Sequence, residues 1–440
     1  MMSKVSLRVA VAAILAAVSG CGDSRTVSDV KFDSAHSVAL DGVIDEGRLI
    51  ATSDDVDSIK DEIGDQLFYM IGQFNGVNGV PDLNRLESTV TEVTARADGL
   101  FDVKYAARVL ISWARERTIP ANLELIMPAR GDFTGLSEFF QAYGSDETSG
   151  KRCMASEAHE VSQGIFWYYY RPLKTNCALR NPALDNVSVM SRFAIRLALS
   201  GENSSGKSPE YAKVWEDGRL VVTAIFGKFE DGATSTGDAG IGAYGQTYRD
   251  LLSMFGQPVS NSLPAGQQPD ASHNDIRLMF TTASGSLDIH LYLVDGIRNV
   301  DSEFRAKYNA RTRISDYVSY SGHSGLGANI RALARMGQFV QGQYQIFLVN
   351  GCDTFAYVEG SLRNAHQAAN PNFGPDKYFD MITNAMPSYF HMNSTSNLAI
   401  ISGLIGKTKT YRQILQGFDQ SQRAAVTGEQ DNLWPEPFGG

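Results

Sequence analysis

Residues 314–323, ISDYVSYSGH, and residues 344–352, YQIFLVNGC, are two strand-like apolar runs, each ending in glycine followed by a chemically active side chain. Between them Ala328 to Met336 carries its apolar residues at helical spacing. Strand, helix, strand is the pattern of two parallel neighbours joined by a crossover. Sheets of that kind bind ligands outside the carboxyl ends of their strands. The reading therefore expects His323 and Cys352 just past two consecutive carboxyl ends, an imidazole and a thiol facing one crevice.

Outward from this pair the same alternation continues. Leu220 to Phe226, Ile276 to Thr282, Leu287 to Val294 and Asp380 to Met386 read as strands. Tyr244 to Phe255 and Glu303 to Ala310 read as helices, and Leu398 to Phe418 as an amphipathic segment. The expected class is α/β, a parallel or mostly parallel sheet covered on both faces by helices. The polar stretch Gly201 to Pro209 marks a boundary, so residues 206–440 form one domain and 31–205 another. That N-terminal domain reads as β-rich α+β. Apolar residues from Val56 to Phe74 recur every three or four positions, a helical face with Asp54, Asp55 and Asp57 at its start. From Val93 the period is two, broken at Asp98-Gly99, and resumes from Val103 to Trp113: a hairpin. Leu123 to Met127, Ile165 to Tyr170 and Val187 to Leu199 are further strand expectations. Gly237 to Gly245 lacks the lysine of a phosphate loop and reads as a flexible loop near the site.

The 440-residue chain is 43% hydrophobic and 20% charged, enough to bury a sizeable core. Its net charge of −10, without a long run of Lys or Arg, lacks the electrostatic footprint of a nucleic-acid binder. Lys4 and Arg8 precede an apolar stretch from Val9 to Val18, the pattern of a secretory signal. A spanning helix needs about 20 apolar residues, and this stretch is shorter. Val18-Ser19-Gly20-Cys21 resembles the lipobox of bacterial lipoproteins. That resemblance implies a signal peptide over residues 1–20, acylation of Cys21, a tether over residues 21–30 and a protein held at the membrane of the cell envelope by lipid. An ordinary cleaved signal with an incidental cysteine is the alternative. Export permits disulfides, and Cys153 with Cys177 enclose a loop of moderate length. With those two paired and Cys21 lipidated, Cys352 is left over as a free thiol.

A thiol near neutral pH is only a few per cent thiolate, so a cysteine nucleophile needs a neighbouring imidazole or other positive group. Ser321, Gly322, Ser324, Gly325 and Gly351 are small and leave room beside both candidates for a substrate main chain. The run Tyr320-Ser321-Gly322-His323, a helix, then Ile346-Phe347-Leu348-Val349 and Gly351-Cys352 resembles the caspase-like cysteine peptidases, the group of caspases, metacaspases, legumains, gingipains and clostripain. The resemblance covers about residues 220–420. It implies a caspase-like sandwich, endopeptidase activity on protein or peptide substrates without metal or cofactor, Cys352 as nucleophile and His323 as general acid/base. The oxyanion would be held by backbone N–H groups of Cys352 and of Gly322 to Gly325. Two departures stand out: Ser324 occupies a place where those families carry glycine, and Gly351 one where several carry alanine or serine.

A rival reads Gly322-His323-Ser324 as a nucleophile elbow, with Ser324 attacking, His366 or His391 as base and Asp353 as acid, in an α/β-hydrolase-like esterase. That motif needs glycine two residues after the serine, where this chain has Leu326. A third reading is a surface binding or assembly lipoprotein without turnover. His36, His159, His273 and His290 form no i, i+4 pair, so no helical metal site is expected.

Overall fold

The computed structural model describes residues 31–144, 153–156, 158, 161–357, 360–374 and 376–428. The signal segment, Cys21 and the tether lie outside the described residues. Contacts divide the chain into two units, the first built from Leu40–Ile111 and Ile119–Ala198, the second from Leu199 onward with the short segments ending at Ala39 and spanning Ser112–Thr118.

The first unit is mixed α/β around one five-stranded sheet. Its strands are β1 (Ser37–Ala51), β2 (Gly79–Ala95), β3 (Phe101–Ala114), β4 (Asn122–Pro128) and β5 (Met190–Leu199), in the order β2-β3-β1-β5-β4. The period-two hairpin is β2 and β3, closed where the Arg96 N–H meets the Leu100 carbonyl at 2.8 Å. The helical face of 56–74 is two helices, α1 (Val56–Leu67) and α2 (Tyr69–Asn75), and Asp55 caps the first by accepting the Ser58 N–H at 2.9 Å. Helices α3 (Phe133–Tyr143) and α4 (Gln163–Tyr169) follow. The strand expected at Ile165 to Tyr170 is instead α4. Phe166 and Tyr170, one helical turn apart, bury together against Tyr69 at 5.7 and 5.5 Å, and aromatic packing overrides the β preference of these residue types. Cys153 and Cys177 are disulfide-bonded, with Cα atoms 4.6 Å apart.

In the second unit strands and helices alternate over most of the chain, with one run of three consecutive strands. It runs α5 (Tyr211–Val214), β6 (Arg219–Gly227), α6 (Ala239–Phe255), β7 (Ser260–Asn261), β8 (Asp275–Thr282), β9 (Gly285–Val294) and α7 (Ser302–Thr312). Then come β10 (Tyr317–Ser321), α8 (Ala328–Met336), β11 (Gln345–Asn350), α9 (Thr354–Tyr357), α10 (Ser361–Ala369), β12 (Phe379–Asn384), α11 (Asn393–Gly406), α12 (Tyr411–Leu415) and β13 (Ala424–Gly428). The eight strands form one sheet in the order β13-β12-β11-β10-β6-β9-β8-β7. Neighbours from β12 to β9 are parallel; β13 at one edge, and β8 and β7 at the other, are antiparallel. The sheet is thus mixed. Strands β8 and β9 are separated by a turn too short for a crossover, with Thr282 registered to Gly285, so only a hairpin is open to them.

Both faces of this sheet are covered. Along β11, Ile346 and Leu348 enter one apolar cluster with Val222, Ala224, Ile400 and Leu404. Phe347 and Val349 enter another with Val318, Tyr320, Ile330 and Leu333. Burial on both sides is why β10 and β11 read as continuous apolar runs rather than alternating ones.

The run Gly237 to Gly245, expected as a flexible loop, is mostly helix. Asp238 caps α6, accepting the Gly240 and Ile241 N–H groups at 2.8 and 3.0 Å. Gly240 sits where a Cβ would come within 2.2 Å of the Gly227 carbonyl oxygen, so the glycine lets the helix start against the end of β6.

Candidate active site

The carboxyl ends of β6, β10 and β11 build the site. Strand β10 lies between the other two and parallel to both, with Ser321 registered to Phe226 on one side and Asn350 on the other. His323 and Cys352 each follow the Ser321–Asn350 pair by two residues, so both stand past the same edge of the sheet. The backbones close up there: the Gly322 N–H donates to the Asn350 carbonyl at 3.0 Å. A Cβ on Gly351 would lie 2.8 Å from the Gly322 carbonyl oxygen, so alanine or serine at 351 would force the two turns apart. Because its N–H is already engaged, Gly322 is not a free oxyanion donor.

The turn carrying the thiol is braced from β12. Asn384 accepts the Gly351 N–H at 3.3 Å and donates its own N–H to Thr354 Oγ1 at 2.8 Å, while the Thr354 hydroxyl donates to the Val349 carbonyl at 2.8 Å. Asp353, next to the cysteine, is fully buried with φ at +48°, a left-handed conformation that aspartate tolerates better than most side chains. That reversal turns the chain from β11 into α9 and leaves Cys352 half-buried.

His323 is exposed, and its backbone carbonyl accepts from the Tyr320 hydroxyl at 2.8 Å and from the Asn329 amide. Its ring lies between Phe229 and Phe390, with centroids at 5.3 and 5.4 Å. Nε2 is 3.0 Å from the Phe229 carbonyl oxygen. A carbonyl only accepts, so Nε2 carries the proton in the neutral ring and Nδ1 keeps the lone pair of a base. The Phe229 turn is itself held by Asp238, which accepts the Phe229 and Glu230 N–H groups at 3.1 and 2.9 Å. Burial works against the Asp238 charge, yet the four backbone N–H groups outweigh it and hold the carboxyl below the usual range.

Tyr357 joins the two turns. Its hydroxyl donates to the Cys352 carbonyl, and Ser324 Oγ lies 2.7 Å from the same phenol oxygen. The tyrosine has one proton to give, so the Ser324 hydroxyl is the donor in their bond. Ser324 is buried and aims its proton at a phenol rather than at an imidazole. Burial first, then the negative charge of Asp353, push the Tyr357 phenol well above its ordinary range, so it stays a neutral donor.

The histidines of the rival reading lie elsewhere. His366 is buried on α10, with Nε2 3.2 Å from the Gln343 carbonyl and Nδ1 3.4 Å from the Asn370 amide. Burial pushes its pKa down to about 4, and a second ring proton would face the Asn370 amide donor. His391 stacks on Tyr389 at 5.9 Å. Arg130 and Asp132 pair with each other at 2.8 Å, and Asp132 caps α3. Among the described residues no cluster of His, Cys, Asp and Glu has the arrangement to hold a metal, and no helix is long and apolar enough to cross a membrane.

The sequence reading missed the Phe229 carbonyl, Asp238, Tyr357 and Phe390. Asp238 carried a readable signal, an acidic residue directly before a helical run; a backbone carbonyl carries none. No protein-family model matches the chain, nor does any curated protein or solved structure.

Proposed function

We propose that this chain is a cysteine endopeptidase of the caspase-like kind. The observation that carries the reading is the oriented imidazole: His323 and Cys352 follow registered positions on adjacent parallel strands, and the Phe229 carbonyl directs His323 to use Nδ1 as its base. A nucleophile, a base and a group orienting that base are the components thiol catalysis requires. In the proposed reaction the Cys352 thiolate forms a C–S bond to the scissile carbonyl, and backbone N–H groups hold the oxyanion. The C–N bond breaks as the His323 imidazolium protonates the leaving amine. Water then attacks the thioester, His323 takes its proton, and the C–S bond breaks to restore the thiol. No metal or organic cofactor takes part.

The test is hydrolysis of an unfolded protein substrate by the purified chain. Cys352→Ala is expected to abolish turnover, while Ser324→Ala, which loses only a bond to Tyr357, retains most of it. Turnover retained in Cys352→Ala and lost in Ser324→Ala would establish the serine hydrolase reading instead.

The lipobox-like Val18 to Cys21 supports a lipid-anchored enzyme on the cell envelope. The expressed protein should partition into the detergent phase, and Cys21→Ser should move it to the aqueous phase; equal partitioning of both would remove the anchor from the proposal.

A further inference from the structure

Beside the His323 ring runs an open groove of about 530 Å³, within the range of small-ligand sites. Phe229 and Phe390, the two rings that flank His323, form its near wall, and Tyr389 continues it. The floor is Ala239, Gly242 and Ala243, a small-residue stripe spaced three and four along α6. Phe229 is 50% exposed and Tyr389 55% exposed, so the two large rings present apolar surface directly next to the proposed base.

The polar lining of the groove is Gln246, His391 and Ser394, none of them permanently charged. No Lys, Arg, Asp or Glu lines it. Asp250, one turn along α6 from the lining residue Gln246, has its two carboxylate oxygens taken by Gln246 at 2.7 Å and by Ser394 at 2.6 Å. A guanidinium entering here would lose water without gaining an anionic partner, and a carboxylate would meet no permanent cation, only the His391 ring, whereas an apolar side chain would gain contacts on both wall and floor.

We infer that this groove selects a large apolar side chain, aromatic or long aliphatic, on a residue adjacent to the scissile bond. The inference rests on the peptidase reading and names its substrate class. Its occupant is an extended peptide segment whose main chain crosses the His323–Cys352 edge while one apolar side chain enters between Phe229, Phe390 and α6.

The experiment is mass-spectrometric cleavage-site profiling of a mixed peptide library with the full chain and with Gly242→Leu. A Cβ at Gly242 would meet only the Thr236 carbonyl oxygen, at 3.8 Å, and leucine suits a helix interior, so this variant fills the groove without displacing backbone. The parent is expected to enrich Phe, Tyr, Leu or Met at one flanking position by about tenfold or more over Asp, Glu, Lys, Arg and Gly. Gly242→Leu should shift that same position toward Ala and Ser by about tenfold, and Tyr389→Ala should weaken the parent's preference. Enrichment of a charged residue, or an unchanged profile in Gly242→Leu, overturns the inference while leaving the peptidase reading in place. Absence of any cleavage, together with a Cys352 that iodoacetamide modifies no faster than in His323→Ala, overturns both.

Discussion

Purified His323→Ala protein is expected to hydrolyse a peptide substrate about 10³-fold more slowly than the parent, and Cys352→Ala at least as slowly. A double variant is expected to be no slower than Cys352→Ala alone. The reason is that in the proposed mechanism the two side chains act on one proton and one bond. Without His323 the thiol keeps its proton and the leaving amine has no acid; without Cys352 the imidazole has no thiol to activate. Groups that act as a unit lose their effects non-additively, which steady-state kinetics on the three variants would show. Independent, multiplying losses would mean that the residues contribute separately, and the dyad would have to be abandoned.

Asp380→Ala is expected to destabilise the second unit by about 3–5 kcal/mol, the cost of removing one partner from a buried ion pair. Asp380 and Lys207 are both fully buried, and the Lys207 ammonium lies 2.6 Å from the carboxylate. The same carboxylate accepts the Tyr344 and Tyr411 hydroxyls at 2.5 and 2.8 Å. One side chain thus joins β12, the entry to β11, the first residue of α12 and the polar boundary segment that carries Lys207. Its removal strands a buried positive charge beside two tyrosine donors that lose their shared acceptor. Adding Lys207→Met to Asp380→Leu should recover part of the loss, because a pair replaced by apolar groups of similar volume is close to neutral. Thermal unfolding of both variants checks this. A single Asp380→Ala variant within about 0.5 kcal/mol of the parent would show that the cluster is not structural. The cluster bears on the site because β12 also carries Asn384, which braces the turn before Cys352.

What was legible in the sequence was what periodicity encodes. The apolar runs ending at His323 and Cys352 are strands β10 and β11, and Ala328–Met336 is the helix between them. Both runs read clearly because two cores bury them from opposite faces. The misreadings have local causes. Phe166 to Tyr170 has the residue types of a strand but packs as a helical turn on the ring of Tyr69. The glycines after Gly237 resemble a loop, but the Asp238 cap and the close pass of Gly240 over Gly227 commit them to helix. The antiparallel edges of the sheet follow from turn lengths and pairing order, which apolar spacing does not report. At the site, the placement of His323 and Cys352 past two adjacent strand ends was legible. Their orientation was not, because it depends on the Phe229 carbonyl and on the Tyr357 hydroxyl between the two turns. Ser324, at a place where the caspase-like families carry glycine, acquires a role only in three dimensions: it donates to Tyr357 and so ties the histidine turn to the cysteine turn.

Activation of the thiol by His323 is read in the rate at which iodoacetamide alkylates Cys352 near pH 6.5, compared between the parent and His323→Ala by intact-protein mass spectrometry. Reaction forms a C–S bond with loss of iodide and requires the thiolate, of which an unassisted thiol supplies only a few per cent near neutral pH. If His323 activates the thiol, modification is at least about tenfold faster in the parent than in His323→Ala, with the disulfide-bonded Cys153 and Cys177 unmodified in both. Equal rates in the two proteins would contradict that activation.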